Sequence, residues 1–158
     1  MIFKKIKYTD IKDVSSILSS AFKPYKKYYT NEAYNATILS PRSIKQRIEN
    51  KESEFFVVIY KNEIVGAISL SLSKNQMYIS SMAVKPKYQK QGVGHFILEE
   101  VIKIALSKNM KKLLLESYEL LNCAISLYNH FRFKRTGNKR NYYGIEIFEM
   151  CKYIKDDL

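Results

Sequence analysis

Residues 82–94 read Met82-Ala83-Val84-Lys85-Pro86-Lys87-Tyr88-Gln89-Lys90-Gln91-Gly92-Val93-Gly94. Pro86 ends the β-rich run before it, and Gly92-Val93-Gly94 opens a helix whose inner face carries Ile97, Leu98, Val101, Ile104 and Ala105. A strand, a short basic connection and a glycine-led helix together make a phosphate cradle. The first amides of a helix lack intrahelical acceptors and sit at its positive pole, so anions are favoured there. Glycine lets a ligand reach backbone that a β-carbon would shield. Lys85, Lys87 and Lys90 add positive charge nearby. The alternative reading is a glycine pair that merely starts a helix close to a neighbouring strand.

Two better-known cradles fail on spacing. The chain has no Gly-Lys pair, which a P-loop requires, and Ile97 stands at the third glycine position of a dinucleotide fingerprint.

Upstream of this stretch, Phe55-Phe56-Val57-Val58-Ile59-Tyr60 reads as a strand. A second follows over Ile64–Leu72 and a third over Met77–Val84, with short connections at Asn62-Glu63 and Lys74-Asn75-Gln76. Three adjacent strands with short turns imply an antiparallel meander. Before it, Ile2–Lys7 is a short strand, Asp10 offers a capping oxygen, and a helix runs from Ile11 to Phe22. Lys23–Leu39 reads as a loop with at most a turn of helix, and Ser40-Pro41 starts a short helix bearing Ile44 and Ile48. Downstream, Leu113-Leu114-Leu115 is a buried strand and Asn122–Phe131 a helix. Phe133–Thr136 and Ile145–Tyr153 form a closing hairpin across a polar loop. The expected fold is α/β (α+β), one domain over residues 1–158, with a mixed, mostly antiparallel sheet of six to seven strands and about four helices.

In context, Met82-Ala83-Val84 followed by Gln89-x-x-Gly92-Val93-Gly94 resembles the acetyl-coenzyme A motif, [RQ]-x-x-G-x-[GA], of the GCN5-related N-acetyltransferases (GNAT). The order of elements is that family's order over nearly the whole chain. Asn122-x-Ala124-Ile125-Ser126-Leu127-Tyr128-x-x-Phe131-x-Phe133 is similar to a second family stretch. Here the asparagine stands one place closer to the alanine than usual, with Leu121 in its slot, and Arg132 replaces a common glycine. Motif spacing is closest to the ribosomal-protein alanine N-acetyltransferase branch.

The resemblance implies an acetyl-CoA-dependent N-acetyltransferase. Acetyl-CoA would be a co-substrate held by Met82, Ala83, Val84, Gln89, Lys90, Gln91, Gly92, Val93, Gly94, His95 and Asn122, with no metal. The acceptor would be a primary amine, either a protein N-terminus, slightly favoured, or a small amine. Acetyl transfer needs a proton for the departing thiolate, and Tyr128, a phenol of ordinary pKa near 10, suits that role. Glu116, twelve residues earlier at a strand end, is the expected base, raised in pKa by partial burial, with Glu119 as fallback. His95 is expected to face cofactor phosphate. An amide near Val84 would meet the oxyanion. Tyr25, Tyr28, Tyr29, Tyr142 and Tyr143 are candidate walls for the acceptor, by cation–π contact or simple packing.

Composition sets the remaining bounds. A globular 46% hydrophobic and 27% charged balance excludes disorder and low-complexity classes. The net charge of +12 comes mostly from lysine, 22 of 27 basic residues, whereas nucleic-acid grooves recruit arginine. A nucleic-acid-binding domain is therefore the lesser alternative, beside a non-catalytic acyl-CoA-binding module. Lys134, Arg135, Lys139 and Arg140 crowd the closing hairpin and suit an acidic partner, a cofactor phosphate or a solvated tip. Cys123 and Cys151 form no C-x-x-C pair, and two histidines, His95 and His130, make a poor zinc set with them. The longest apolar run is six residues, Phe55–Tyr60, against the ~20 a membrane helix needs. The expectation is a cytoplasmic protein with no membrane partner, monomeric or homodimeric.

Overall fold

The apolar alternation of the N-terminal half becomes a sheet built strand by strand. In a computed structural model, which describes residues 1–154, β1 (Ile2–Lys5) pairs antiparallel with β2 (Glu54–Tyr60). β2 pairs with β3 (Glu63–Ser73), and β3 with β4 (Gln76–Val84), giving the expected meander. Between β1 and β2 lie α1 (Ile11–Phe22), α2 (Asn31–Thr37) and α3 (Pro41–Glu49). The C-terminal half adds α4 (Val93–Ser107), β5 (Lys112–Ser117), α5 (Asn122–His130), β6 (Lys134–Tyr142) and β7 (Ile145–Tyr153). Among the described residues seven strands lie in the order β1-β2-β3-β4-β5-β7-β6, and only β4 and β5 run parallel.

Helices cover both faces. α1 buries Ile11, Val14, Ile17, Leu18 and Ala21, and with Ile44 of α3 it packs on Phe55, Val57, Ala67 and Ala83. Each of the Ile, Val, Leu and Phe side chains among these contributes roughly 1.5–3 kcal/mol when fully buried. On the other face, Ile97, Leu98, Val101 and Ala105 of α4 pack with Tyr128 of α5 on Val58, Ile68, Leu70 and Met77.

Several local expectations change. Asp10 does take up an amide, but it is Lys7 N–H behind it at 2.8 Å, across a 3-10 turn, and not one in the first turn of α1. Ser40 caps α3 as expected, accepting from Ser43 N–H at 3.1 Å. The segment read as a loop holds a 3-10 stretch, Lys23–Tyr28, and α2, which Thr30 caps by accepting from Ala33 N–H at 3.1 Å. The α-helices among the described residues thus number five. α2 escapes a periodicity reading because Ala33 is its one buried residue, set against Ile145 and Ile147. The polar loop expected after Thr136 is strand: β6 continues to Tyr142 and turns through Tyr143-Gly144 into β7. β6 is the sheet edge, and all its residues but Tyr142 are exposed, so no apolar alternation marks it.

One irregularity positions everything that follows. β4 pairs with β5 only over Gln76–Ile79, and Ser80–Val84 then diverge from it. A register shift against β3 between Ala67 and Ser69 leaves an extra residue on β4, with Ser81 at φ 50°. A bulge of this kind bends the strand and ends pairing. The sheet therefore opens like a V between β4 and β5.

Candidate active site

Two cavities flank the opening. The first, about 330 Å³, is a groove between the end of β4, the glycine turn and α5. Its lining includes Met82, Ala83, Val84, Gln89, Lys90, Gly92, Val93, Gly94 and His95, nine of the eleven residues expected to hold the cofactor. Gln91 and Asn122 are not among the lining residues. The Gln91 side chain donates back to Lys87 O at 3.0 Å, and Asn122 is exposed at the start of α5, where Leu121 and Cys123 face the groove instead.

The turn is fixed locally. Lys90 and Gly92 take left-handed backbone angles, φ 61° and 85°, and Gln89 Nε2 donates to Val84 O at 3.0 Å. Phe96 N–H is the first to find an acceptor inside α4, Gly92 O at 3.0 Å. The amides of Val93, Gly94 and His95 precede it at the helix's positive pole. A β-carbon on Gly94 would stand 3.0 Å from Leu127 Cδ2 and 3.5 Å from Met82 Cε. Glycine there lets α4 and α5 close on the groove. Of the three nearby lysines, Lys90 alone lines it. Lys85 bonds Glu63, which Tyr88 also bonds, and Lys87 Nζ lies 3.9 Å from the same carboxylate. These contacts hold the Glu63 carboxyl below its usual range, chiefly through the hydrogen bonds from Lys85 and Tyr88. His95 faces the groove and its ring bonds Glu99 at 3.1 Å.

The second cavity, about 320 Å³, lies on the other side of the opening. Phe22, Met82, Leu121, Ala124 and Tyr128 line both spaces. Tyr128 is the polar member of that shared wall. It is 8% exposed, and its hydroxyl reaches Met82 Sδ at 3.9 Å. Burial pushes its pKa up to about 12, so the phenol keeps its proton throughout the neutral range.

Glu116 projects from β5 into the second cavity. Arg140 of β6 grips it from two strands away, Nε to Oε2 at 2.6 Å and Nη2 to Oε1 at 2.8 Å. Burial, followed by the adjacent Glu116 carboxylate, raises the Tyr78 phenol well above its usual value. Glu119 is not among the residues of either cavity. Arg135 binds it on the exposed hairpin and holds its carboxyl low, so geometry removes the fallback base. Lys139 pairs with Glu146 at 3.6 Å, and the cluster Arg135, Lys139 and Arg140 is thereby neutralised within the protein.

The aromatic walls divide. Tyr29 and Tyr142 line the second cavity and Tyr25 the groove, whereas Tyr28 and Tyr143 are exposed. Burial, then Tyr118 and Tyr142, raises the Tyr29 phenol. The sequence reading missed Tyr78, Tyr118 and Arg47. Tyr78 was open to detection, since it alternates with Ser80 on the β4 face opposite Met77 and Ile79. Among the described residues no helix is long and apolar enough to cross a membrane, and no cluster of three His, Cys, Asp or Glu side chains could hold a metal ion.

Free helix-start amides, a lysine beside them and a glycine at the closest approach fit the pyrophosphate of coenzyme A. The edge of upper β4 that β5 leaves unpaired fits its amide-bearing arm.

Comparison with known proteins agrees. The chain is 24% identical over 96 residues to a Bacillus subtilis (strain 168) protein named as a candidate ribosomal protein bS18-alanine N-acetyltransferase, a match spanning 61% of this chain and 64% of that protein's length. In fold it is similar to the PaiA N-acetyltransferase of Thermoplasma acidophilum, solved in complex with coenzyme A, with a TM-score of 0.81, 19% identity, and 96% and 98% of the two chains covered. It is also similar to the ribosomal-protein-S18-alanine N-acetyltransferase of Escherichia coli, with a TM-score of 0.79, 20% identity and 97% and 93% coverage. Residues 20–154 match the family described as the acetyltransferase (GNAT) domain. With that match over most of its length, the chain belongs to the GNAT acetyltransferase family.

Proposed function

We propose that the protein is an acetyl-CoA-dependent N-acetyltransferase that passes the acetyl group directly to a primary amine in a ternary complex. The observation that carries this reading is the shared wall. A protonated phenol, Tyr128, stands where a groove suited to coenzyme A meets a cavity bearing an anchored carboxylate, Glu116.

Bound acetyl-CoA supplies a thioester carbonyl. The groove residues orient it: amides from Val93 to His95 and Lys90 at the phosphates, the backbone of Met82–Val84 along the arm. An amide near Val84 meets the charge that develops on the carbonyl oxygen. Glu116, held in place by Arg140, draws in the acceptor's ammonium and accepts its proton through water. The amine nitrogen bonds to the carbonyl carbon, the C–S bond breaks, and Tyr128 Oη gives its proton to the departing sulfur. Raised basicity of its phenolate returns that proton from solvent.

A thiol-release assay with acetyl-CoA across amines and N-terminal peptides tests the reading, with Tyr128→Phe in parallel. Turnover in the wild type and its loss in the variant, with acetyl-CoA affinity kept, are expected. Tight acetyl-CoA binding without acetylation of any amine would overturn it in favour of a binding module.

A further inference from the structure

The charges of the second cavity go beyond what a bare amine would use. Its charged lining residues are Arg47, Glu116 and Arg140. Glu116 and Arg140 pair through their two hydrogen bonds, so their charges balance in the sum for the cavity. Arg47, half-buried in the last turn of α3, has no side-chain hydrogen bond or ion pair among the described residues. A guanidinium keeps its charge at any physiological pH, which leaves the cavity one unmatched positive charge. Ser117 supplies a second, independent sign. Its hydroxyl is buried in the same lining with no hydrogen-bond partner among the described residues. Leaving a buried polar group unpaired is costly, and a polar ligand atom relieves it.

We infer that the acceptor is a small primary amine that also carries an anionic group, a carboxylate or phosphate a few bonds from the nitrogen. Arg47 receives the anion while Glu116 draws the ammonium. The inference rests on the N-acetyltransferase reading and narrows its substrate. A cavity of about 320 Å³ suits a compact molecule. A diamine sets a second cation against Arg47, and like charges placed together select against a partner.

The test uses the full chain with acetyl-CoA and three matched series: ω-amino acids from glycine to 5-aminopentanoate, diamines of the same lengths, and simple alkylamines, with 2-aminoethyl phosphate to separate phosphate from carboxylate. The best amino acid or the aminophosphate is expected to exceed the best diamine in kcat/KM by about tenfold or more. In Arg47→Gln that ratio falls to within about threefold of one, through KM, and Arg47→Lys restores part of it. A wild type that uses diamines or alkylamines equally well overturns the inference alone, as does an Arg47→Gln ratio equal to that of the wild type. The wild-type comparison decides even if the variants fail to fold. Absence of thiol release with every amine would overturn the transferase reading itself and this inference with it.

Discussion

Arg140 holds both carboxylate oxygens of Glu116 in a two-point grip that spans β7, tying the exposed edge strand to the strand beside the sheet opening. A bidentate guanidinium fixes direction as well as charge. In the proposed mechanism Arg140 is thus a positioning residue for whatever Glu116 receives. Arg140→Gln is expected to lower kcat/KM for the amine about 10- to 100-fold, mostly through KM, with acetyl-CoA KM near wild type. Arg140→Lys should recover little, because an ammonium cannot form the fork. Steady-state kinetics with each substrate varied in turn check this. Equal losses toward both substrates would point to general unfolding.

Tyr128→Phe removes the hydroxyl that faces both cavities and keeps the ring packed near Phe133, 5.8 Å away between centroids. A fall of about 10²- to 10³-fold in kcat is expected, within the usual range for a lost general acid, with melting temperature nearly unchanged.

The pH profile follows from the same residue. Burial disfavours the phenolate, so the donor form persists until pH approaches a pKa of about 12. As pH rises toward 10 the acceptor amine loses its proton and Tyr128 keeps its own. The wild-type rate should climb through that range with no descending limb from Tyr128. A fall in kcat between pH 8 and 10 with the protein intact would count against Tyr128 as the acid.

Two glycines of the turn separate backbone strain from ligand access. At Gly92, φ 85°, a β-carbon meets nothing within 4 Å, so Gly92→Ala costs about 1–2 kcal/mol through left-handed strain alone. At Gly94 the branches of valine would press on Leu127 and Met82 at the groove mouth. Gly94→Val is therefore expected to raise acetyl-CoA KM about tenfold or more. Thermal melts and cofactor titrations distinguish the two effects.

Arg132 bends the chain out of α5 at φ 66° where the resemblance places glycine, so the left-handed turn is kept without the residue that suits it. The end of the helix is held by Lys152, 3% exposed on β7, whose Nζ donates to Phe131 O at 2.7 Å. Arg132→Gly should relieve about 1 kcal/mol of strain, offset in part by about 0.4–1 kcal/mol of added unfolded-chain entropy. A small rise in melting temperature, with unchanged kinetics, is expected.

These sites show which parts of the architecture a sequence makes visible. β2, β3 and β4 were legible because their β-rich apolar runs enter the cores on the two faces of the sheet, and the glycine turn because helix starts follow local rules. β6 was not, since an edge strand of exposed charges has the composition of a loop. Tyr128 was singled out by its place in a motif and Glu116 by its strand end twelve residues before it, and both line the second cavity. Arg140, 24 residues from Glu116, and Arg47, on the helix α3 between β1 and β2, meet that site only through topology. Lys85 and Lys87 misled for the same reason: their partner, Glu63, lies two strands' length away in sequence and beside them in space.

The parting of β4 from β5 after Ile79 also has a thermodynamic meaning. A ligand lying along Met82–Val84 acts as a missing strand, so its arrival is a small act of folding, and apparent stability then tracks its concentration. At a hundred times Kd, linkage adds about 2.7 kcal/mol. Slowed amide hydrogen exchange at the tip of β4 would record that gain residue by residue. The cell's supply of acetyl-CoA would then set how firmly this half of the sheet is closed, as well as how fast the enzyme turns over.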